Sequence, residues 1–360
     1  MAAHSFLAVA LGTSIAGHLS GAVLPDHGLG AVPRPFPLPG LVEGGEGVDG
    51  WLISDADAVA RLVYIGEVLG CGDLHKVQPR RDGRTVAARA FAGTPGEMAW
   101  SIDGWSSVSQ ATLDQAVCEI VTDMDRRPAA QLAATRAMIL SRAAARVAAR
   151  DSVPTDLRSA ATAAEVEDLR IDISHAGFFR TRSHHLRYPH FDTGKSPVLT
   201  REVFVATDAA LVLPYDPRRD RLLLVEQFRM GPYGRGDPHP WMLEPVAGRI
   251  DAGEAPEDTA RRECREEAGL EIVSLEKISS HYCTPGYSTE MFHLFLGLCD
   301  LPDMVQGQGG LATENEDIRT HVIGFEAAMA LLQSGEANNG PLILGLIWLQ
   351  RERDRLRATA

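Results

Sequence analysis

Apolar positions recur at strand and at helical spacing in both halves of this chain. Up to about residue 125, short apolar runs such as "SFLAVAL" and "GWLIS" alternate with Gly/Pro-rich stretches and read as strands. "HKVQPRRDGRTVAARAF" reads as a hairpin turning at Asp82-Gly83, and "DADAVARLVYIG" shows helical spacing behind an Asp cap. Residues 1–125 are therefore expected to form a small α+β domain. From Arg127 to Arg150 the Ala- and Arg-rich spacing predicts one amphipathic helix with its arginines on a solvated face. "DSVPTDLRSAATAAEVED" reads as a linker, which makes residues 126–168 helix and linker.

The second domain is expected over residues 169–358. "DAALVLPY" and "RLLLVEQFR" are Leu-rich or β-branched strands joined by the turn "DPRRD", and "PWMLEPVAGRI" reads as another extended piece. Strands follow through "EKISSHYC" and "EMFHLFLGL". "FEAAMALLQSG" and "PLILGLIWLQRERDRLR" then read as helices, with Pro341 suited to a first helical position. Strands interleaved with helices predict a mixed sheet covered on both faces, an α/β/α sandwich. Trp241 and Trp348 read as core.

Composition narrows the partners. The balance of 35 basic against 48 acidic residues gives a formal charge of −13. Such a charge repels polyphosphate backbones and argues against a general nucleic-acid binder, while a small anionic ligand could still bind through local arginines or bridging cations. Cys71, Cys118, Cys264, Cys283 and Cys299 are odd in number, widely spaced and without a CxxC pair, which fits a reducing cytoplasm. The N-terminal "MAAHSFLAVALGTSIAG" lacks a basic n-region, so no signal peptide is expected. No apolar run approaches a membrane span.

Between the predicted strands lies "GRIDAGEAPEDTARRECREEAGL", Gly248 to Leu270, with seven acidic and four basic side chains in 23 residues. Pro256 fits the first helical position, Glu257 and Asp258 complement the positive end of the dipole, and Gly269 fits a left-handed stop. Glu263, Glu266 and Glu267 then stand at i, i+3 and i+4 on one face, where like charges repel. Something cationic must share that face. Arg262, four residues before Glu266, can brace it, Arg261 and Arg265 can reach solvent, and the remaining charge suits a hard divalent cation with oxygen ligands. Ala255 is a poor N-cap. Cys264 reads as a small buried hydrophobe.

The spacing of Gly248, Glu254, Arg262, Glu263, Cys264, Glu266, Glu267, Gly269 and Leu270 resembles the Nudix box at every position. "LTREVF", "VEQFRMGPY", "PWMLEPVAGRIDAGE" and "LATENEDIRTHVI", with Pro285 fifteen residues after Leu270, resemble the bacterial ADP-ribose diphosphatases within that superfamily. The resemblance implies Mg²⁺-dependent hydrolysis of ADP-ribose to AMP and ribose 5-phosphate, with Mn²⁺ a possible substitute, by a homodimer formed through this domain. Glu263 and Glu267 would ligate metal with the carbonyl of Ala247, and Glu316 would join them in a closed state. Glu314 would be the general base, with Glu266 and Arg262 completing the catalytic set. Arg201 and Arg229 would bind the diphosphate and ribose region, and Glu202 and Arg249 would also contact substrate. Glu290 and the turn Thr284, Pro285, Gly286 would contact the terminal ribose, and Phe178 and Phe179 would stack on adenine. Two rivals remain: another ADP-sugar or dinucleotide as substrate, and a non-enzymatic ADP-ribose or NAD sensor, against which the retained carboxylates weigh.

Several of these residues also have plain structural readings. Arg201 and Arg229 could be surface ion pairs, and Phe178 and Phe179 could be core. His184, His185 and His190 read as exposed strand or loop residues without a carboxylate partner at suitable spacing. In the first half, "LAVALGTS", "ARLVYIGEVLGC" and the helical stretch after "DMDRRP" resemble the γ-glutamyl cyclotransferase-like fold. That resemblance puts Leu11-Gly12-Thr13-Ser14 where the family has a Tyr-Gly-Ser/Thr-Leu loop and its catalytic glutamate near Gly66 or Glu67. The missing Tyr points to a degenerate domain used for packing or ligand sensing.

Overall fold

The computed structural model describes residues 5–9, 24–28, 31–32, 40–41, 48–78, 80–81, 84–91, 107–150, 156–192, 194–302, 308–309 and 317–359. The chain divides into two compact units, Met1–Ser159 and Ala160–Ala360. The division falls inside the stretch read as helix and linker.

The first unit holds a sheet of β1 (Ser5–Val9), β2 (Leu24–Gly28), β5 (Val48–Ile53), β6 (Leu74–Val77) and β9 (Ala88–Phe91) in the order β2-β5-β1-β9-β6. Two short ribbons accompany it, β3 (Ala31–Val32) with β4 (Gly40–Leu41) and β7 (Arg80–Arg81) with β8 (Arg84–Thr85). Asp82 and Gly83, the expected hairpin turn, lie outside the described residues, as do Leu11 to Ser14. Helix α1 (Ala56–Leu69) is capped by Asp55, whose side chain accepts from the Ala58 N–H at 2.9 Å, and ends on Gly70 in the left-handed region. It packs Leu62, Ile65 and Val68 against Leu113, Val117 and Ile120 of α2 (Ser107–Asp123).

The helix expected over 127–150 is two helices, α3 (Ala129–Ala133) and α4 (Arg136–Ala148). At the break the Thr135 hydroxyl donates to the Leu132 carbonyl at 3.0 Å, a local bond that competes with helix continuation. The Arg136 guanidinium also donates to the last-turn carbonyl of Leu69. The arginines are not all solvated: Arg142 is buried in an ion pair with Glu119 of α2 at 2.6 Å. Turning the chain at Thr135 lets Leu132 and Ile139 both reach the core that α1 and α2 share.

The second unit opens with β10 (Glu167–Ala176), β11 (Arg180–Arg187) and β12 (Leu199–Val205), an antiparallel sheet of three. Its cross-strand register corrects the reading of the histidines. His184 Nδ1 lies 2.7 Å from Asp168 Oδ2, and His185 Nε2 lies 3.0 Å from Asp172 Oδ2. These carboxylates belong to the neighbouring strand, where spacing along the sequence cannot find them.

The larger sheet has eight strands: β13 (Ala209–Asp216), β14 (Arg221–Phe228), β15 (Trp241–Glu244), β16 (Val246–Arg249), β17 (Ser274–Tyr282), β18 (Met291–Leu298), β19 (Gln308–Gly309) and β20 (Ile318–Gly324). Its order is β17-β18-β13-β14-β20-β19, mixed because β13 and β18 run parallel. β13 and β14 pair only at Tyr215 and Asp216, beside their turn, and then diverge. Into the fork go the two halves of "WMLEPVAGR": β15 pairs with β14, and β16 pairs with β13. Pro245 separates them because proline has no N–H for a ladder. The single extended piece expected there is therefore two strands on opposite arms of the fork.

One face of this sheet is covered by α6 (Pro256–Ala268), with Val212, Val225 and Val246 packed against Ala260 and Cys264. The other is covered by α7 (Phe325–Ser334) and α8 (Gly340–Ala358), over Leu213, Leu222 and Leu224. Asn339 caps α8 by accepting from the Leu342 N–H at 3.1 Å. Trp348 packs against this second core. Trp241 is not core: it sits at the end of β15, 59% exposed. A short helix, α5 (Met230–Arg235), follows β14. Among the described residues no helix is long and apolar enough to cross a membrane.

Candidate active site

The site grows out of α6. Pro256 occupies its first turn and Glu257 and Asp258 follow, while Ala255 makes no side-chain cap. At the other end Gly269 adopts φ 62°, where a side chain would be strained, and the Gly269 and Leu270 N–H groups close on the carbonyls of Arg265 and Cys264. Between these ends Ala260 and Cys264 are wholly buried, which fixes the helix's rotation. Burial also pushes the Cys264 thiol well above its ordinary value, so this residue is packing and not a nucleophile. Glu263, Glu266 and Glu267 are thereby turned to the flank of the helix that meets β16.

Arg262 is the cation that this face requires. Its guanidinium donates to Glu263 at 2.6 Å and to Glu266 at 2.9 Å, the second being the expected brace. The stronger engagement is one that spacing along the helix did not reveal. Glu254, in the loop before α6, takes Nε at 2.9 Å and Nη2 at 3.0 Å in a bidentate pair. The same guanidinium also reaches the Arg249 carbonyl at 3.2 Å. Arg262 beside it holds the Glu254 carboxyl below the ordinary carboxylate value despite partial burial, and the Thr259 hydroxyl adds a bond at 2.7 Å. One side chain thus joins helix, approach loop and the end of β16. Arg261 does not reach into solvent as expected; it donates to the Ile272 carbonyl. Arg265 is half exposed, 3.8 Å from Glu271.

Two close approaches complete this centre. A Cβ placed on Gly248 would lie 1.9 Å from the Glu263 carboxyl carbon, so the carboxylate occupies the space that any other residue would fill. Glu267 is only 2% exposed and accepts the Ala247 N–H at 3.3 Å. Among the described residues no group of three or more His, Cys, Asp or Glu side chains forms a metal-holding cluster. The donors nevertheless suit a hard cation: they are oxygens only, with Glu263 seated on Gly248 and Glu267 beside the Ala247 backbone. Glu314 and Glu316 lie outside the described residues.

The remaining expected residues gather in two further places. Arg229 follows β14 and pairs with Glu244 of β15 at 2.7 Å. Burial raises the Glu244 carboxyl against the opposing pull of Arg229. Glu290 is half-buried and likewise raised by burial, against a hydrogen bond with Cys283 and, less, the charge of Arg229. Thr284 begins a turn in which its carbonyl accepts from Tyr287 and Ser288, leaving Pro285 and Gly286 exposed. Arg249 forks onto Asp251 at 3.0 and 3.1 Å. Arg201, Glu202, Phe178 and Phe179 belong instead with the three-stranded sheet, outside the contacts of Arg262. Arg201 donates to the Thr200 carbonyl, and Ser183 donates to Glu202. Phe178 and Phe179 are 56% and 48% exposed, not core, and meet edge to face at 5.0 Å. Phe179 also contacts Phe204 at 4.9 Å, whose backbone bonds to Tyr287 and Thr289 tie this sheet to the Thr284 turn.

The seat beneath Glu263 can be tested directly. Gly248→Ala is expected to displace that carboxylate and weaken Mn²⁺ binding at least tenfold by calorimetry, while melting shifts by only a few degrees because a flexible side chain can swing aside. Unchanged Mn²⁺ affinity would show that Glu263 needs no such seat.

Comparison with known proteins places this geometry. A model of the NUDIX domain matches residues 205–344. An ADP-ribose pyrophosphatase of Haemophilus influenzae is 39% identical over 188 residues, covering 52% of this chain and 86% of the relative. One from Escherichia coli strain K12 is 37% identical over 193 residues, covering 54% and 91%. A GDP-mannose pyrophosphatase of Yersinia enterocolitica is 30% identical over 186 residues, covering 52% and 95%. With Gly248, Glu254 and the Arg262 carboxylate cluster in the arrangement described, and with relatives matched over most of their own length, this chain belongs to the Nudix family.

Proposed function

We propose that the second unit hydrolyses the diphosphate of ADP-ribose to AMP and ribose 5-phosphate, with Mg²⁺ as its cation and Mn²⁺ as a substitute. The observation that carries this reading is the carboxylate cluster that Arg262 organises on α6 against Gly248. The two relatives named as ADP-ribose pyrophosphatases support the choice of substrate. Glu263 and Glu267, with the Ala247 carbonyl and Glu316, would hold the cation. When bound, Mg²⁺ neutralises the diphosphate and acidifies a water. Glu314 would take the proton of the attacking water as its oxygen bonds to phosphorus and the bridging P–O bond breaks, its electron pair leaving with the departing phosphate. Arg262 keeps Glu263 and Glu266 aimed while the charge around them changes. Arg229 and Arg201 hold the diphosphate and ribose region, with Glu202 and Arg249 also contacting substrate, Glu290 and Thr284 to Gly286 hold the terminal ribose, and the exposed Phe178 and Phe179 rings stack on the adenine.

The exposed apolar side chains of the three-stranded sheet, Leu169, Ile171, Phe178 and Phe179, support a homodimer built on it. The odd number of the five cysteines, none of them in a disulfide, supports a reducing, cytoplasmic setting. The first unit is a cyclotransferase-like module without catalysis. In support, Gly66 is packed beneath the Phe91 ring, 2.2 Å from where a Cβ would stand, and Glu67 lies exposed on α1.

With Mg²⁺ present, ADP-ribose is expected to give the highest kcat/KM in a panel with ADP-glucose, GDP-mannose and dinucleotides; equal turnover across the panel would remove the assignment. Glu267→Gln, which keeps an oxygen for the Ala247 N–H, should fold and lose most turnover. Glu314→Gln should lower kcat by roughly 10²–10⁴-fold with KM little changed, as loss of a general base does. Light scattering should give twice the chain mass, falling to the monomer in Ile171→Asp; a monomeric parent would exclude the dimer. Release of 5-oxoproline from γ-glutamyl dipeptides would overturn the non-catalytic reading of the first unit.

A further inference from the structure

On the face of the large sheet opposite α6, side chains at alternate positions of β14 form a row: Leu222, Leu224, then Glu226. Helices α7 and α8 bury the two leucines completely. They stop short of Glu226, and the sheet there is the floor of a cavity of about 560 Å³, within the roughly 300–1,000 Å³ of small-molecule sites. None of the residues lining it comes from β16, the approach loop or α6.

Its chemistry is specific. Leu224, Leu243 and Ile323 make an apolar floor, and the exposed indole of Trp241 forms a wall, braced edge-on by Phe228 at 5.6 Å. Glu226 accepts a hydrogen bond from His321 Nε2 at 2.8 Å on the neighbouring strand, which fixes the carboxylate's orientation. Glu336 and Asn338, from the connection between α7 and α8, also line it, as does His239 from the loop before β15. The lining contains neither Lys nor Arg. Arg319 approaches Glu226 at 3.7 Å from outside the lining and is 70% exposed, a pairing that water screens. Two carboxylates without a lining Lys or Arg repel a phosphate. Carboxylates beside an accessible indole attract an organic cation whose body can cover the apolar floor, because the ring face and the carboxylates stabilise the same positive charge.

We propose that this cavity is a second small-molecule site, separate from the α6 centre, for an organic cation with a flat apolar body, such as an aromatic amine. The full-length protein is titrated with three probes of one shape and different charge: tyramine, neutral tyrosol and anionic 4-hydroxyphenylacetate. Tyramine is expected to bind at a single site with submillimolar affinity, tyrosol at least tenfold more weakly, and 4-hydroxyphenylacetate not measurably. Trp241→Ala and Glu226→Gln, both at partly exposed positions, should each weaken tyramine at least tenfold, with melting temperature checked to establish folding. Excess ADP-ribose should leave tyramine affinity unchanged. The proposal is overturned if tyramine shows no saturable binding, if the anion binds as well as the cation, if both variants keep the parent affinity, or if ADP-ribose displaces the amine.

Discussion

The guanidinium of Arg262 resolves the electrostatic conflict written into α6. Three glutamates within five positions of one helix raise its free energy unless a cation sits among them, and a lysine would supply one point of charge where three directions are needed. Arg262 fills those directions with Glu254, Glu263 and Glu266, and adds the Arg249 carbonyl. The consequence is mechanical as well as electrostatic. The loop before the helix, the helix itself and the end of β16 are tied to one planar group, so the carboxylates keep their aim without depending on the weakly capped first turn.

That arrangement works only because the sheet is forked. β13 and β14 pair beside their turn and then part, which leaves room for β15 and β16 between them. Pro245 at the join makes one continuous strand unfavourable and sends the chain from one arm to the other. β16 thus arrives next to α6, with Gly248 beneath Glu263 and the Ala247 N–H on Glu267. The apolar positions of α6 complete the placement from the other side, since Cys264 and Ala260 enter the core that Val246 of β16 also enters.

Much of this was legible along the chain. The strands around "DPRRD", the last two helices, the Pro256 start and Gly269 stop of α6, and Cys264 as packing all follow from local spacing and backbone preference. Three of the misreadings share one cause. Arg142 looked solvated because its partner Glu119 is on another helix, His184 and His185 looked unpartnered because Asp168 and Asp172 are across a strand pair, and Arg261 finds the Ile272 carbonyl only after the chain has turned at Gly269. Trp241 carries the largest apolar side chain of its strand, but it stands at the strand's end, where neither helix layer covers it.

The sequence by itself therefore determined which side chains share a face of α6, where that helix begins and ends, and that its surplus of acid needed a cation. These are consequences of a 3.6-residue turn and of the conformations open to proline and glycine. The tertiary structure alone decided that Glu254 is the principal partner of Arg262, that Glu244 holds Arg229, and that Gly248 lies under a carboxylate. Each of those depends on strand register and on which strand enters the fork, and neither is encoded by spacing within a single element.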